Sequence, residues 1–487
     1  MSKEGSNLKN ATAKGFLWGG MSNAVCLLLN LFFGIFLANI LGPDDYGPIG
    51  MLAIFSAVAG SLQESGFVAA LANRKEAGHD DYNAVFWFSV IVSVVLYIGL
   101  YFAAPLIADY FREPILVPLS RYSFLGFVIA GFGIAPSAYL YRELKVKEKS
   151  ISLIITIIVS CSVGVTMAIC GYSYWGIATQ GILYMLVRTL CMWHYTPWRP
   201  SWRVNFAPLK YLFTFSYQLL LTNLFLRING NVFSVILGGN AYYTRADIGN
   251  YTKANEWNKM GSEAVNGMVN CVAQPVLARV ADDGERQLRV LRKMVRFTAF
   301  IAFPMLLGLS LVSRELILVT ITEKWLESAG MLRILCLWGA FIPIQSLFTH
   351  LLISRGRAGI YMWCTIIQGL LMIAMLFVMR PYGISDMITA YVIVNILWLL
   401  VWLYFVKREI TFTLPMFVRD TLFYFVISAA TMYLTALLTA SVTNIYILLP
   451  LRIVVAAVIY TTALFLCRSQ ELREALDYIK TRKTSKQ

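Results

Sequence analysis

Charge is scarce in this chain. Only 14% of its 487 residues are Asp, Glu, Lys or Arg, against about 25% in a typical soluble protein. That shortage excludes a solvated surface over most of the molecule. Long polar connections are also missing: no stretch between apolar segments is long enough to fold as a domain. An inserted soluble catalytic domain is therefore excluded. Histidine occurs three times, as His79, His194 and His350, each near a helix end expected to be cytoplasmic. The eight cysteines all fall within or at the ends of apolar segments. Neither set has metal-ligand spacing, and no cysteine pair sits in an external loop, so neither a metal site nor a structural disulfide is expected. The phosphate-binding run G-x-x-x-x-G-K-[ST] is absent, which excludes ATP-powered work by this chain. External loops hold no carboxylate pair for glycosyl transfer. No catalytic residue and no cofactor is assigned, and the protein is read as a non-enzyme.

What is present is apolar. Hydrophobic residues make up 58% of the chain, and the mean hydropathy is +0.66. A membrane span needs about 20 apolar residues, and about fourteen segments meet that length. Loops rich in Lys and Arg (142–149, 199–210, 279–296, 355–357 and 407–419) alternate with short loops that nearly lack them, such as 41–47, 108–116 and 238–247. This is the positive-inside pattern of a multi-spanning membrane protein, and it places both termini in the cytoplasm. The net charge of +15 would suggest nucleic acid in a soluble protein. Here most of it lies in cytoplasmic loops, where it sets orientation and meets anionic lipid, so no nucleic-acid partner is expected. The first apolar run, 16–40, is expected to be an uncleaved span, because it lacks a small-residue cleavage site.

A weak internal repeat divides the chain. Leu41-Gly42-Pro43 to Tyr46-Gly47 parallels Leu237-Gly238-Gly239 to Ile248-Gly249. Six spans per half is an even number, so the halves share one orientation and are related by an axis along the membrane normal. The expected organisation is a six-helix bundle over 1–193, a cytoplasmic linker over 194–209 and a second six-helix bundle over 210–406. Two additional helices follow over 407–467, then a cytoplasmic amphipathic tail over 468–487. In the tail Leu472, Leu476 and Ile479 share one face, which reads as an interfacial anchor.

Ionisable groups inside a membrane are costly and usually face a cavity. Arg227 lies near the middle of the seventh span, among Gln218, Asn223, Asn229 and Asn231. The eighth span carries Asn250, Lys253, Asn255, Glu256, Asn258, Lys259, Glu263, Asn266 and Asn270, too many polar groups for a lipid-facing helix. Glu256, Lys259, Glu263 and Asn266 share one face by helical spacing. Gln63-Glu64-Ser65 form a polar cluster in the second span, and Asn23 and Asn30 stack seven residues apart in the first. Bland readings stand beside these. Glu256 and Lys259 equally suit a structural ion pair, Arg227 can hold the halves together through a carboxylate, and Arg188 reads as snorkelling from its helix end. Arg121 and Arg333 read as interfacial anchors.

The order of several short motifs resembles the polysaccharide transporter family of flippases, within the multidrug/oligosaccharidyl-lipid/polysaccharide exporter superfamily. The motifs are Leu41-Gly-Pro-Asp-Asp-Tyr-Gly47, then Glu64-Ser-Gly-Phe-Val-Ala-Ala-Leu71 with Arg74-Lys75, then Tyr141-Arg-Glu-Leu-Lys-Val-Lys147 and Trp198-Arg-Pro-Ser-Trp202. Asp282-Asp-Gly-Glu-Arg286, Phe303-Pro304 and Glu323-Lys-Trp325 follow in family order. The resemblance implies an all-α integral membrane protein of the bacterial inner membrane, with two pseudo-symmetric six-helix bundles in a V plus two C-terminal helices. It implies a flippase that moves undecaprenyl-diphosphate-linked oligosaccharide repeat units by alternating access. The implied partners are that lipid-linked substrate, membrane lipids, H+ or Na+ as coupling ion, and a polysaccharide polymerase. By position the substrate-binding candidates are Arg227, Lys253 and Lys259, with Asn223, Asn23 and Asn30 as polar contacts. Many relatives carry an Asp where this chain has Asn229 to Asn231, which moves the expected ion-coupling carboxylate to Glu64, Glu256 or Glu263. The alternatives are an ion-coupled multidrug antiporter or a peptidoglycan-precursor flippase of the same superfamily and, from another class, a membrane-embedded glycan polymerase or ligase.

Overall fold

With no water to satisfy a bare backbone, apolar runs must close their own hydrogen bonds as helices. The computed structural model describes residues 3–474 except 65, 74–76, 144, 204, 240 and 241, and omits the side chains of 3–20, 69, 72, 73, 214–216, 218 and 219. Every regular element among the described residues is helical. Among the described residues, eleven helices are long and apolar enough to cross a membrane, or twelve if one bent pair is a further span. The protein is a multi-pass membrane protein. The expected fourteen is not reached on this criterion, for a physical reason. Helices Tyr174–Tyr195 and Arg245–Arg279 have the length, at 22 and 35 residues, but too many polar residues.

The chain forms two compact units, residues 1–249 and 250–487. The first contains α1 (Lys3–Ile40), α2 (Pro43–Glu64), α3 (Phe67–Asn73), α4 (His79–Phe111), α5 (Leu116–Ser123), α6 (Leu125–Gly131), α7 (Ile134–Arg142), α8 (Val146–Ile169), α9 (Tyr174–Tyr195) and α10 (Ala207–Gly238). It ends in the first turn of α11 (Arg245–Arg279). The first unit runs on past the 194–209 stretch because α10 packs on α2, α3 and α4. The linker itself is clamped to α4. Asn83 donates to the Arg203 carbonyl at 2.8 Å and accepts from the Ser201 amide at 2.9 Å, and the Trp87 indole donates to the Ser201 carbonyl at 2.8 Å. Trp198 joins Phe67, Tyr82 and Phe86 in an aromatic core there. The run from α5 to α7 bends by 44° after Gly131.

The two repeat-related loops meet. Gly47 lies against the backbone of Arg245, and Gly249 against the backbone of Pro43, so closely that neither position has room for a Cβ. Each helix start carries the same cap. The Gly42 amide donates to Asp45 at 2.9 Å, and the Thr244 amide donates to Asp247 at 2.8 Å, which satisfies otherwise orphaned donors. Arg245 also makes a two-pronged ion pair with Glu113.

The second unit contains the rest of α11, then α12 (Gly284–Leu311), α13 (Ser313–Thr320), α14 (Leu326–Gly339), α15 (Ile342–Ser354), α16 (Ala358–Met379), α17 (Ile384–Ile410), α18 (Leu414–Leu438) and α19 (Ile445–Leu466). The last two are riveted to it by charge. Arg292 on α12 grips Asp420 on α18 with bonds of 2.7 and 2.9 Å, and Arg452 on α19 pairs with Glu315 on α13 at 2.8 Å. The described start of the tail is anchored the same way: Glu471 receives Arg296 and the Tyr424 hydroxyl, and Glu474 receives Lys293 at 2.6 Å. Leu476 and Ile479, like Arg74, Lys75 and Ser65, lie outside the described residues.

Candidate functional site

The first unit holds a cavity of about 850 Å³. Its origin is legible in four helices. Ala53, Ala57 and Gly60 recur on one face of α2, Gly126, Ala130 and Gly133 along α6 and α7, and Ala178 and Gly181 on α9, all lining the space. Spacings of three and four residues stack side chains on one helix face, so small residues there leave a slot instead of a packed core. A Cβ added at Gly60 or Gly181 would touch nothing within 4 Å.

The slot is charged at one end. Glu64 ends the α2 stripe, Arg188 ends the α9 stripe, and Lys149 enters from the first turns of α8; all three line the cavity. Lys149 interacts electrostatically with both of the others, and its ammonium lies 5.2 Å from the Tyr141 ring centroid. Two cations face one carboxylate, which leaves this end positive. Beside Glu64, Gln63 is buried and fixed: its amide donates to Ser93 at 2.9 Å and to the Phe127 carbonyl at 2.8 Å. Arg188 therefore turns into a cavity, where snorkelling was expected.

Arg227 sits on α10, exposed, and among the described residues its guanidinium has no carboxylate partner. Asn223, four residues earlier and also exposed, shares its face. Asn23 and Asn30 are exposed on α1 and are not among the residues lining the cavity.

The polar helix α11 separates its charges differently from expectation. Lys253 is 2% exposed and pairs with Glu256 at 2.9 Å, its ammonium 5.9 Å from the Trp325 ring. Glu256 thus has Lys253 as an ion-pair partner one turn back, and Asn250 on the same helix donates to Glu327 at 2.9 Å. Asn266 is buried, whereas Lys259 and Glu263 are exposed. Further along, Asn270 accepts from Ser346 and bonds His350, each at 2.9 Å, tying α11 to α15.

A family described as polysaccharide biosynthesis protein matches residues 36–330, a span that covers the slot and all of α11. The chain belongs to this family. Its relatives include the lipopolysaccharide biosynthesis protein WzxC of Escherichia coli, 25% identical over 73% of this chain and 72% of that one. The succinoglycan biosynthesis transport protein ExoT of Rhizobium meliloti is 21% identical over 92% and 91%. Among solved structures, an inward closed conformation of the lipid II flippase MurJ aligns with a TM-score of 0.73 at 16% identity, covering 93% of this chain and 99% of that one. An inward-facing multidrug resistance transporter of the MATE family aligns with a TM-score of 0.63 at 18% identity, covering 79% and 94%. At these identities the structures show the fold of this polysaccharide biosynthesis protein and not its cargo.

Within the family frame, sequence reasoning placed Glu64 among the functional candidates but missed Lys149 and Arg188. A signal for both was present. The small-residue stripes of α2 and α9 each run at helical period into a charge, Glu64 on one and Arg188 on the other.

Proposed function

We propose that this family member is a flippase for undecaprenyl-diphosphate-linked oligosaccharide repeat units in the bacterial inner membrane, working by alternating access with both termini cytoplasmic. A lipid diphosphate cannot cross hydrocarbon unaided, because its charges lose their hydration. Fixed cations on a transport path replace that hydration. The observation that carries the reading is Arg227, an exposed guanidinium with no carboxylate partner among the described residues, in the middle of a membrane-length helix of a polysaccharide biosynthesis protein. Lys259 adds a second exposed cation on α11. Lys253 we assign to structure, since it is buried against Glu256 and Trp325. The energy comes from an ion gradient, and we assign the coupling carboxylate to Glu64, which lies beside two cations on a cavity wall. Protonation there changes the local charge by one unit, and differential ion affinity is what shifts an equilibrium between two access states.

The test is reconstitution into sealed liposomes with a labelled undecaprenyl-diphosphate oligosaccharide, reading accessibility of the label from each side. Wild type is expected to flip it and Arg227→Ala to lose most of that rate. Flipping that persists unchanged with proton and sodium gradients collapsed removes the coupling role of Glu64. No flipping by wild type with a gradient imposed removes the flippase reading and favours an ion-coupled antiporter.

A further inference from the structure

The slot in the first unit has the form of a site for one end of a lipid. It extends along α2 from Ile49 to Glu64, about 22 Å of helix at 1.5 Å per residue. Its volume of about 850 Å³ falls within the range of pockets that bury most of a small amphiphile. Leu52, Ile182 and Met185 supply apolar walls, and the positive charge is gathered at one end. A dry structural cavity of this size would forfeit packing along four helices. An exit path for water alone would not need two cations set against one carboxylate.

We propose that this slot binds a phosphate-bearing lipid, with the phosphate between Lys149 and Arg188 and the first part of the chain along the small-residue stripes of α2 and α9. Glu64 is the ligand's competitor. With the slot empty it balances one of the two cations; an arriving phosphate takes both and faces the carboxylate as a like charge. Ser123, whose buried hydroxyl has no partner among the described residues, lies on the same wall and offers a donor to a polar atom of the bound molecule. The cavity is too small for a whole lipid-linked repeat unit, so it holds the phosphate end and leaves the sugars outside. The inference rests on the flippase reading for the source of the lipid, undecaprenyl phosphate chemistry, and not for the chemistry of the site.

The experiment is native mass spectrometry of the purified full chain in detergent, with binding titrated for undecaprenyl phosphate, undecaprenol, phosphatidylglycerol and inorganic phosphate. Undecaprenyl phosphate is expected to bind at least about tenfold more tightly than undecaprenol, as two nearby cations in a poorly screened site require. The double variant Lys149→Gln/Arg188→Gln is expected to lose about tenfold or more in affinity. Glu64→Gln is expected to gain severalfold, the opposite sign. Gly181→Leu, whose Cβ would meet nothing within 4 Å, is expected to abolish binding with a nearly unchanged melting temperature. In an Arg227→Ala background the charge and filling variants are expected to change binding by the same factors as in wild type, so loss of flipping and loss of slot binding are separate results. Phosphatidylglycerol binding more tightly than undecaprenyl phosphate, with the same response to all three changes, supports the site and makes membrane phospholipid its source. Equal binding of undecaprenol, binding of inorganic phosphate alone with equal affinity, or indifference to both the charge and the filling variants overturns the proposal.

Discussion

Alanine in place of Gly249 would set a methyl group 2.7 Å from the Pro43 carbonyl carbon and closer still to its oxygen. In place of Gly47 the methyl would lie 3.0 Å from the Arg245 carbonyl carbon, again closer to the oxygen. Ordinary contact begins at 3.4 Å, so the α2 and α11 starts must separate by at least about 0.7 Å in the first case and about 0.4 Å in the second. The obstacles are backbone atoms on capped helix ends, so no side chain can swing aside. Overpacking of this kind costs about 1–3 kcal/mol. Gly249→Ala is expected at the upper part of that range and Gly47→Ala at the lower. The two glycines guard one crossing from opposite sides. Once one methyl has forced the backbones apart, the second finds part of its room already made. The double variant is therefore expected to cost less than the sum by about 1 kcal/mol, the sign of coupling between sites that share a contact. Thermal unfolding in detergent, followed by intrinsic tryptophan fluorescence, measures all four states, with Gly60→Ala as a control whose added methyl meets nothing within 4 Å. An unaltered melting temperature for Gly249→Ala, or strictly additive losses, would refute the reciprocal crossing.

Three further outcomes follow from the charge and hydrogen-bond partners. Asp420→Ala leaves Arg292 without the carboxylate that it grips at 2.7 Å. Because Asp420 is 3% exposed, the expected loss is about 3 kcal/mol, read as a lower melting temperature that Asp420→Glu partly restores. Glu256→Ala removes the carboxylate 2.9 Å from the buried Lys253 ammonium and is expected to destabilise by about 2–3 kcal/mol, read as a lower melting temperature; an unaltered one would count against the pair. Asn83→Ala removes two of the three bonds that hold the 201–203 backbone to α4 and leaves the Trp87 indole on the Ser201 carbonyl. Limited proteolysis is expected to cut within 199–206 several times faster than in wild type, at a stability cost of about 1–2 kcal/mol.

Helix type and number come largely from local chemistry, and local chemistry is readable along the chain. Apolar length, basic loops and the ion-poor turns between them need no tertiary knowledge, and they produced the multi-pass reading. The same reasoning overcounts where helix polarity serves tertiary packing: α9 and α11 are long, yet Gln180, Arg188 and the asparagines of α11 take them below the apolarity of a lipid-facing span. The repeat in Leu41–Gly47 and Leu237–Gly249 was visible as a pattern, and its glycines were visible as glycines. That they meet each other's backbone could be decided only by folding, because contact across some two hundred residues leaves no local trace. The eighth span was legible as polar, but its pairing was not: helical spacing permits Glu256 to reach Lys253 or Lys259 equally, and only the fold shows Lys253 buried near Trp325 with Glu256 at 2.9 Å. Glu64 could be singled out as a polar residue in an apolar helix, whereas Lys149 and Arg188 looked like ordinary basic-side charges. Their sequence determined that they were cationic and near helix ends. Only the tertiary structure decided that small residues on separate helices would open a slot beneath them, because a cavity is a property of facing surfaces and not of any one helix.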